Sequence, residues 1–256
     1  MTEVASQQTK RLQLFKSIKK KLRSVKPQTT DELLKYIRAF FGFTVPNKKV
    51  CAEHSTPAAF ISEMFFERES LILAIANRGG YKTLLVAIGN VLDMWFKGAG
   101  IIHAGAIQVQ ASKGYSYVKG FCEKVFGDEL AFPPMMSRTQ FKNGGHIEVA
   151  PMTMHQMAGP HEPKVRRDEI DLAKPDALEQ SIGMASETET ASISIVDISS
   201  RYFSAGNVQR MIDTAVEDGR KVCIWCYKET TKGCPDERSG TKPTTVYIDR
   251  EALHAA

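Results

Sequence analysis

No apolar run in this 256-residue chain reaches the roughly 20 residues that a helix needs to cross a bilayer. The N-terminus is polar and lacks the apolar core of a secretory signal, so a reducing cytoplasm is the expected setting. Cysteine is scarce. The five present, Cys51, Cys122, Cys223, Cys226 and Cys234, are then expected as thiols or metal ligands and not as disulfides. The histidines His103, His146, His155 and His161 form no i, i+4 pair, which argues against a metal site on one helix face and for loop or core positions. Internal repeats and low-complexity blocks are also missing. Acids are absent from the short stretch holding Lys10, Arg11, Lys16, Lys19, Lys20, Lys21, Arg23 and Lys26, which concentrates the formal charge of +5 at one end. Such a segment, with Leu12, Phe15, Ile18 and Leu22 as an apolar stripe, suits either a surface along nucleic acid or a partner, or a plain solvated helix.

What is present is a globular composition. With 43% hydrophobic residues in 28.5 kDa, the chain has material for one large domain or two modest ones. Its organising stretch is residues 71–86. An apolar run of strand length leads into the polar turn Asn77, Arg78, Gly79, Gly80, then Tyr81, Lys82 and Thr83, then an apolar segment with helical spacing. Backbone N–H groups of a small-residue loop can surround a polyphosphate, and the following helix turns its positive N-terminal end toward it. Lys82 would reach the outer phosphates and Thr83 would offer its hydroxyl to Mg²⁺. Against the general phosphate-loop pattern, Ala76 and Tyr81 stand where glycines are expected, so Gly79 and Gly80 are expected to supply the conformational freedom. An ordinary strand-turn-helix accounts for the same residues.

Upstream, helices are expected over 1–26, from the cap at Thr29 and Thr30 to Phe41, and from His54 to Phe66, with a connector at 46–53. Downstream, the pattern alternates. Helix 82–96, buried strand 100–105 and helix 107–125, interrupted at Gly114, are followed by a proline loop at 132–137. A hairpin turns at Asn143-Gly144-Gly145. After a loop over 152–163, strands are expected at 165–169, 192–198 and 221–225, and helices at 175–184 and 206–217. Alternation of this kind implies an α/β fold with a mostly parallel central sheet flanked by helices on both faces, preceded by a helical N-terminal extension.

Three further features carry chemistry. Asp168 and Glu169 end the 165–169 strand, where one carboxylate can hold a Mg²⁺ shell and the other can orient and deprotonate water. The approach to them, Val165-Arg166-Arg167, is more polar than a central strand is expected to be. Ser199, Ser200 and Arg201 follow an apolar run and suit either a γ-phosphate sensor or a helix cap. Cys223, Cys226 and Cys234 form a partial zinc pattern, completed by His254 or Cys51, although strand alternation turns Cys223 and Cys226 to opposite sides.

Four stretches in this order resemble the ATPase half of the large subunit of tailed-phage terminases, the motors that package DNA. They are Ala76-Asn-Arg-Gly-Gly-Tyr-Lys-Thr83, the Gly159-Pro-His161 loop leading to Val165-Arg-Arg-Asp-Glu-Ile-Asp171, Asp176-Ala-Leu-Glu-Gln180, and Ile198-Ser-Ser-Arg201. The resemblance implies a RecA-like P-loop NTPase over 54–230, after a basic helical extension over 1–53 and before a linker or the start of a nuclease region at 231–256. It implies ATP and Mg²⁺ as cofactors, with nucleotide contacts from Asn77, Arg78, Gly79, Gly80, Tyr81, Lys82 and Thr83. Thr83 and Asp168 serve the metal, Glu169 is the catalytic carboxylate, Arg78 meets the γ-phosphate, and Ser199, Ser200 and Arg201 couple hydrolysis to movement. An aromatic adenine contact is expected near His54. Double-stranded DNA, a homo-oligomeric ring on a portal and a terminase small subunit are the implied partners, in the cytoplasm of an infected bacterium. Family members continue into a nuclease domain for which this chain has no room, so an isolated motor domain without nuclease activity is expected. Tyr81 departs from the family's Gly-Gly-Gly-Lys-Thr type of loop. The other reading of the same site is a catalytically weak or inactive nucleotide- or DNA-binding module.

Overall fold

The computed structural model describes residues 13–14, 17–18, 20–153, 161–189 and 191–230. Two compact units divide the chain, Met1–Thr44 and Val45–Ala256. In the first, helix α1 (Thr30–Phe41) opens on a reciprocal cap. Thr29 accepts from the backbone of Glu32, whose carboxylate reaches back to the backbone of Thr29. Gly42, left-handed at φ 69°, ends it as expected. Of the basic segment, Lys20, Lys21, Arg23 and Lys26 are described, while Lys10, Arg11, Leu12, Phe15, Lys16 and Lys19 lie outside the described residues. So do His155, Gly159, Cys234 and His254.

The second unit alternates as its sequence pattern implies. Helix α2 (Pro57–Phe66) is capped by Thr56. It is followed by β1 (Leu71–Ala76), α3 (Lys82–Lys97), β2 (Gly100–Gly105), α4 (Gln108–Phe126), β3 (Arg138–Gln140) and β4 (His146–Pro151). The order continues with β5 (Lys164–Asp168), α5 (Pro175–Gln180), β6 (Ser194–Ser199), α6 (Asn207–Asp213), β7 (Arg220–Trp225) and α7 (Tyr227–Thr230). The seven strands lie in the order β3-β4-β2-β5-β6-β1-β7, and every pairing is parallel except the β3–β4 hairpin. Leu73, Ile75, Ile102, Ala104, Val165 and Ile195 face Ile170, Leu178, Met184 and Val208 on one side of the sheet. The other side meets α3 and α4. No described helix is long and apolar enough to cross a membrane.

Three expectations are corrected. Gly114 does not interrupt α4. It lets the helix approach its neighbours closely, since a Cβ there would lie 2.4 Å from His103 Nε2 and 3.3 Å from Thr83 Cγ2. Helices 175–184 and 206–217 are shorter than expected: the first continues as a 3₁₀ turn at Ser181–Met184, and the second stops at Asp213.

The third correction concerns β5, which lies fully buried in the middle of the sheet despite its charges. Each charge has a buried or half-buried partner. Arg166 pairs with Asp93 of α3 at 2.9 Å and donates to Ser194 O at 2.7 Å. Lys164 meets Glu67 at 2.6 Å, and Lys97 bridges Glu67 and Asp93. On the opposite face Arg167 makes a two-pronged pair with Asp197 of β6 at 2.5 and 2.8 Å, while Arg220 of β7 also reaches Asp197 at 2.6 Å. Such ions are tolerated in a core only when each is paired with an opposite charge.

Breaking one of these pairs is therefore expected to be expensive. Arg166→Met leaves Asp93 short of a buried partner and should lower unfolding free energy by about 3–5 kcal/mol. The double variant Asp93→Leu/Arg166→Met should recover more than half of that loss, measured by urea denaturation.

Candidate functional site

The carboxyl ends of β1, β5 and β6 lie side by side, because β6 sits between the other two and all three run parallel. Open α/β sheets bind ligands outside that edge. The loop after β1 is held from several sides. Gly80 N–H donates to Asn77 O at 3.0 Å, and the indole Nε1 of Trp225, at the end of β7, donates to Gly80 O at 2.7 Å. A Cβ on Gly80 would lie 2.7 Å from Ala76 Cβ and 2.9 Å from Asn77 O, so the turn requires glycine there. Gly79 takes φ 75°. Tyr81 also takes the left-handed region, at φ 65°, and caps α3 through its backbone, with Leu85 N–H donating to its carbonyl. The two glycines therefore do not carry the whole turn, contrary to the sequence expectation. A β-carbon in this region costs on the order of 1–2 kcal/mol.

Lys82 opens α3 and is buried. Its ammonium donates to Ala76 O at 2.9 Å, Asn77 O at 3.2 Å and Ser200 Oγ at 3.1 Å. Burial pushes its pKa down, and the negative field of Glu169 and Asp168 opposes that push. Thr83 Oγ1 donates to Asp168 Oδ2 at 3.0 Å. Two groups 85 residues apart in sequence thus meet at one point. The second oxygen of Asp168 is buried without a hydrogen-bond partner among the described residues. Burial, then the neighbouring Glu169 charge, push the Asp168 carboxyl up to about 7. An oxygen-only donor set with one orphaned carboxylate oxygen beside a threonine hydroxyl fits Mg²⁺, a hard cation that binds few protein ligands.

Glu169 follows in a left-handed conformation, φ 55°. Its Oε2 accepts from Ser200 N–H at 3.2 Å and Ser199 Oγ at 3.4 Å. Among the described residues no hydrogen bond engages its other oxygen. Ser200 therefore touches both the lysine and the second carboxylate. Arg201 is exposed. Arg78 is exposed as well, with its guanidinium over the Tyr202 ring at 5.8 Å.

Two residues here escaped the sequence reading. Asp171 accepts from the backbone N–H groups of Tyr202, Phe203 and Val208 at 2.7, 3.0 and 3.1 Å, so it shapes the whole segment after β6. Trp225 braces the loop after β1. Asp171 had one signal, as the third acid of Asp-Glu-Ile-Asp; Trp225 had none, because its role depends on β7 pairing with β1. The zinc set is also rearranged. Cys223 is buried in the sheet, whereas Cys226 lies beyond β7 near Cys51, His54 and Glu229. The fourth position expected for His254 falls outside the described residues.

No protein-family model matches the chain, and no curated protein matches it by sequence. Solved structures do resemble it. One is the large terminase of a thermophilic bacteriophage in complex with ATP-γ-S, with a TM-score of 0.50 and 11% identity over 74% of this chain and 44% of that one. The same phage protein in complex with ADP gives a TM-score of 0.48 and 13% identity over 69% of this chain and 43% of that one. This chain thus spans 41–44% of the length of the structures it matches. The likeness is one of fold, the RecA-like P-loop arrangement.

The Asp168 carboxyl yields a pH-dependent expectation for the chain free of metal and nucleotide. A folded-state value near 7 against 3.8 for the ordinary group means that the folded chain resists ionising it. The penalty is absent below pH 4, grows between pH 4 and 7, and is complete above. At about 1.4 kcal/mol per pKa unit it amounts to on the order of 4 kcal/mol. Asp168→Asn removes it, so the variant should unfold at higher denaturant than the wild type at pH 8, and the gap should close as the pH falls toward 4.

Proposed function

We propose that this chain is the ATP-hydrolysing motor domain of a phage terminase large subunit, coupling hydrolysis to movement of double-stranded DNA into a capsid. The observation that carries this reading is the meeting of the Lys82-Thr83 step with Asp168 and Glu169 at the edge where β1, β5 and β6 end. A fold shared with a terminase solved with ATP-γ-S supports it.

The residues divide the work by their chemistry. Backbone groups of Asn77, Arg78, Gly79, Gly80 and Tyr81, at the start of α3, line the phosphates. Lys82 exchanges its carbonyl partners for phosphate oxygens and remains tied to Ser200. Thr83 and Asp168 would hold Mg²⁺, which neutralises charge on the outer phosphates when bound. Glu169, fixed through Oε2, presents its other oxygen to orient and deprotonate the attacking water. Ser199 and Ser200 contact Glu169, and Ser200 also contacts Lys82, so a change at the γ-phosphate shifts the segment reaching Arg201 and Tyr202. Arg78, exposed at the loop tip, meets the γ-phosphate or a neighbouring subunit in this reading. Assembly as a ring on a portal, with a small subunit as DNA-recognition partner, belongs to the same proposal.

Tyr81 favours a second reading, a module that binds nucleotide or DNA and turns over little. Its left-handed backbone is strained where glycine would be relaxed. Calorimetric titration with ATP and Mg²⁺, combined with phosphate release in the presence of DNA and at oligomer-forming concentration, separates the two. The motor reading expects turnover, and binding without turnover under all these conditions supports the module. For the motor, Lys82→Ala should lower kcat/KM by on the order of 10²–10³-fold, as loss of a preorganised charge does. Glu169→Gln should keep ATP affinity while lowering kcat by roughly 10²–10⁴-fold. Wild-type rates in Lys82→Ala would sink the assignment.

A further inference from the structure

Beyond the nucleotide site, one cluster of side chains lies where β7 ends. Cys51, His54, Cys226 and Glu229 bring two sulfurs, an imidazole nitrogen and a carboxylate oxygen within 4.8 Å of one another. We propose that these four residues hold a zinc ion, which fastens the connector before α2 to the chain after β7, beside the phosphate loop.

The donors come as two matching pairs, Cys-x-x-His in the connector and Cys-x-x-Glu at the start of α7. Each pair rides on the same tight turn. His54 N–H donates to Cys51 O at 3.1 Å, and Glu229 N–H donates to Cys226 O at 3.2 Å. Two donors three residues apart on a turn are a usual half of a structural zinc site. The Lys228 backbone N–H points at Cys226 Sγ, 3.4 Å away, a contact that stabilises a sulfur carrying negative charge. The Glu229 carboxylate is buried and joins the two turns, accepting from Cys51 N–H at 2.9 Å, Cys226 N–H at 2.8 Å and His54 Nδ1 at 3.1 Å. Oε2 takes the bonds from Cys226 and His54, while Oε1 takes only the one from Cys51 and keeps a second lone pair for a cation.

Metal chemistry selects among the candidates. Thiolates disfavour Mg²⁺ and Ca²⁺, which want oxygen, and a mixed set of two sulfurs, one nitrogen and one oxygen suits zinc. Bonds of about 2.0–2.3 Å in a tetrahedron place the ligand atoms roughly 3.3–3.8 Å apart, so a small contraction of the cluster completes the site. Cys223 takes no part, since it is buried among the strands.

The position gives the ion something to do. Ser55 N–H, next to His54, donates to Ile224 O at 2.7 Å and continues the connector along β7. Trp225, next to Cys226, donates to Gly80 O and stacks near Phe60 at 5.4 Å. A bound ion thus stiffens both neighbours of Trp225 and, through its indole, the loop that ends at Lys82.

The test uses the full chain purified under reducing conditions, loaded with zinc and dialysed. Elemental analysis should find about one zinc per chain, and X-ray absorption should show two sulfur neighbours. Cys51→Ser and Cys226→Ser should each lose most of that zinc, and Cys223→Ser should keep it. If the serine variants fold poorly, cobalt titration of the wild type decides, because two thiolates give an intense charge-transfer band that zinc then displaces. Chelation should lower Tm, and added zinc should restore it. A reduced wild-type chain that takes up no zinc, bound zinc that survives Cys51→Ser, or bound cobalt without a thiolate band would overturn the proposal.

Discussion

The buried ion pair between Arg166 and Asp93 sets the register on which the candidate site depends. Asp168 and Arg166 are two residues apart on β5 and point to the same face, toward α3. Thr83 and Asp93 are ten residues apart on α3, about 15 Å of helix, while the strand advances only about 7 Å over its two residues. The long arginine side chain covers the difference. Once Arg166 is locked to Asp93, with Lys97, Glu67 and Lys164 completing the chain of charges, the first turn of α3 lies over the end of β5 and Thr83 reaches Asp168. An apolar interface would permit the helix to slide. Charges whose partners are buried do not, because each wrong position leaves an ion without a counterpart.

On the other side of the sheet, Asp197 fixes Arg167 and Arg220 and so joins β5, β6 and β7. The edge where β1, β5 and β6 end then departs from relaxed geometry. Two of the three described non-glycine residues with positive φ, Tyr81 and Glu169, lie at this edge. Strained residues survive where surrounding bonds over-determine them. Trp225 and Lys82 brace the loop of the first, and Ser199 and Ser200 brace the second.

Local pattern was enough to find most elements of the second unit. The apolar run before Asn77, the Asn143-Gly144-Gly145 turn and the alternation of strands and helices all express short-range physics, so they are readable residue by residue. The residues of the turn after β1 were readable as a candidate site too, since such a turn is a local object. What could not be read depends on pairing across the chain. The charged β5 looked unsuitable for a sheet centre because Asp93 and Asp197, which neutralise it, are remote in sequence. Gly114 looked like a break because His103 was not yet its neighbour. Cys226 was grouped with Cys223 by spacing, whereas the fold carries it toward Cys51. Asp171, as an organiser of backbone N–H groups thirty residues on, left only a faint trace.

The charged middle strand also matters before the fold exists. Strand β1, six uncharged residues of strong strand character, is the kind of segment that stacks with its own copies when left uncovered. Both strands that pair with it carry charge, Asp197 on β6 and Arg220 and Lys221 on β7, and β5 carries four charged side chains. Like charges repel in a stack of identical strands but find opposite partners when different strands meet. The ions locked inside the finished protein therefore also act as gatekeepers in the nascent chain, steering it away from cross-β aggregation and toward its own sheet.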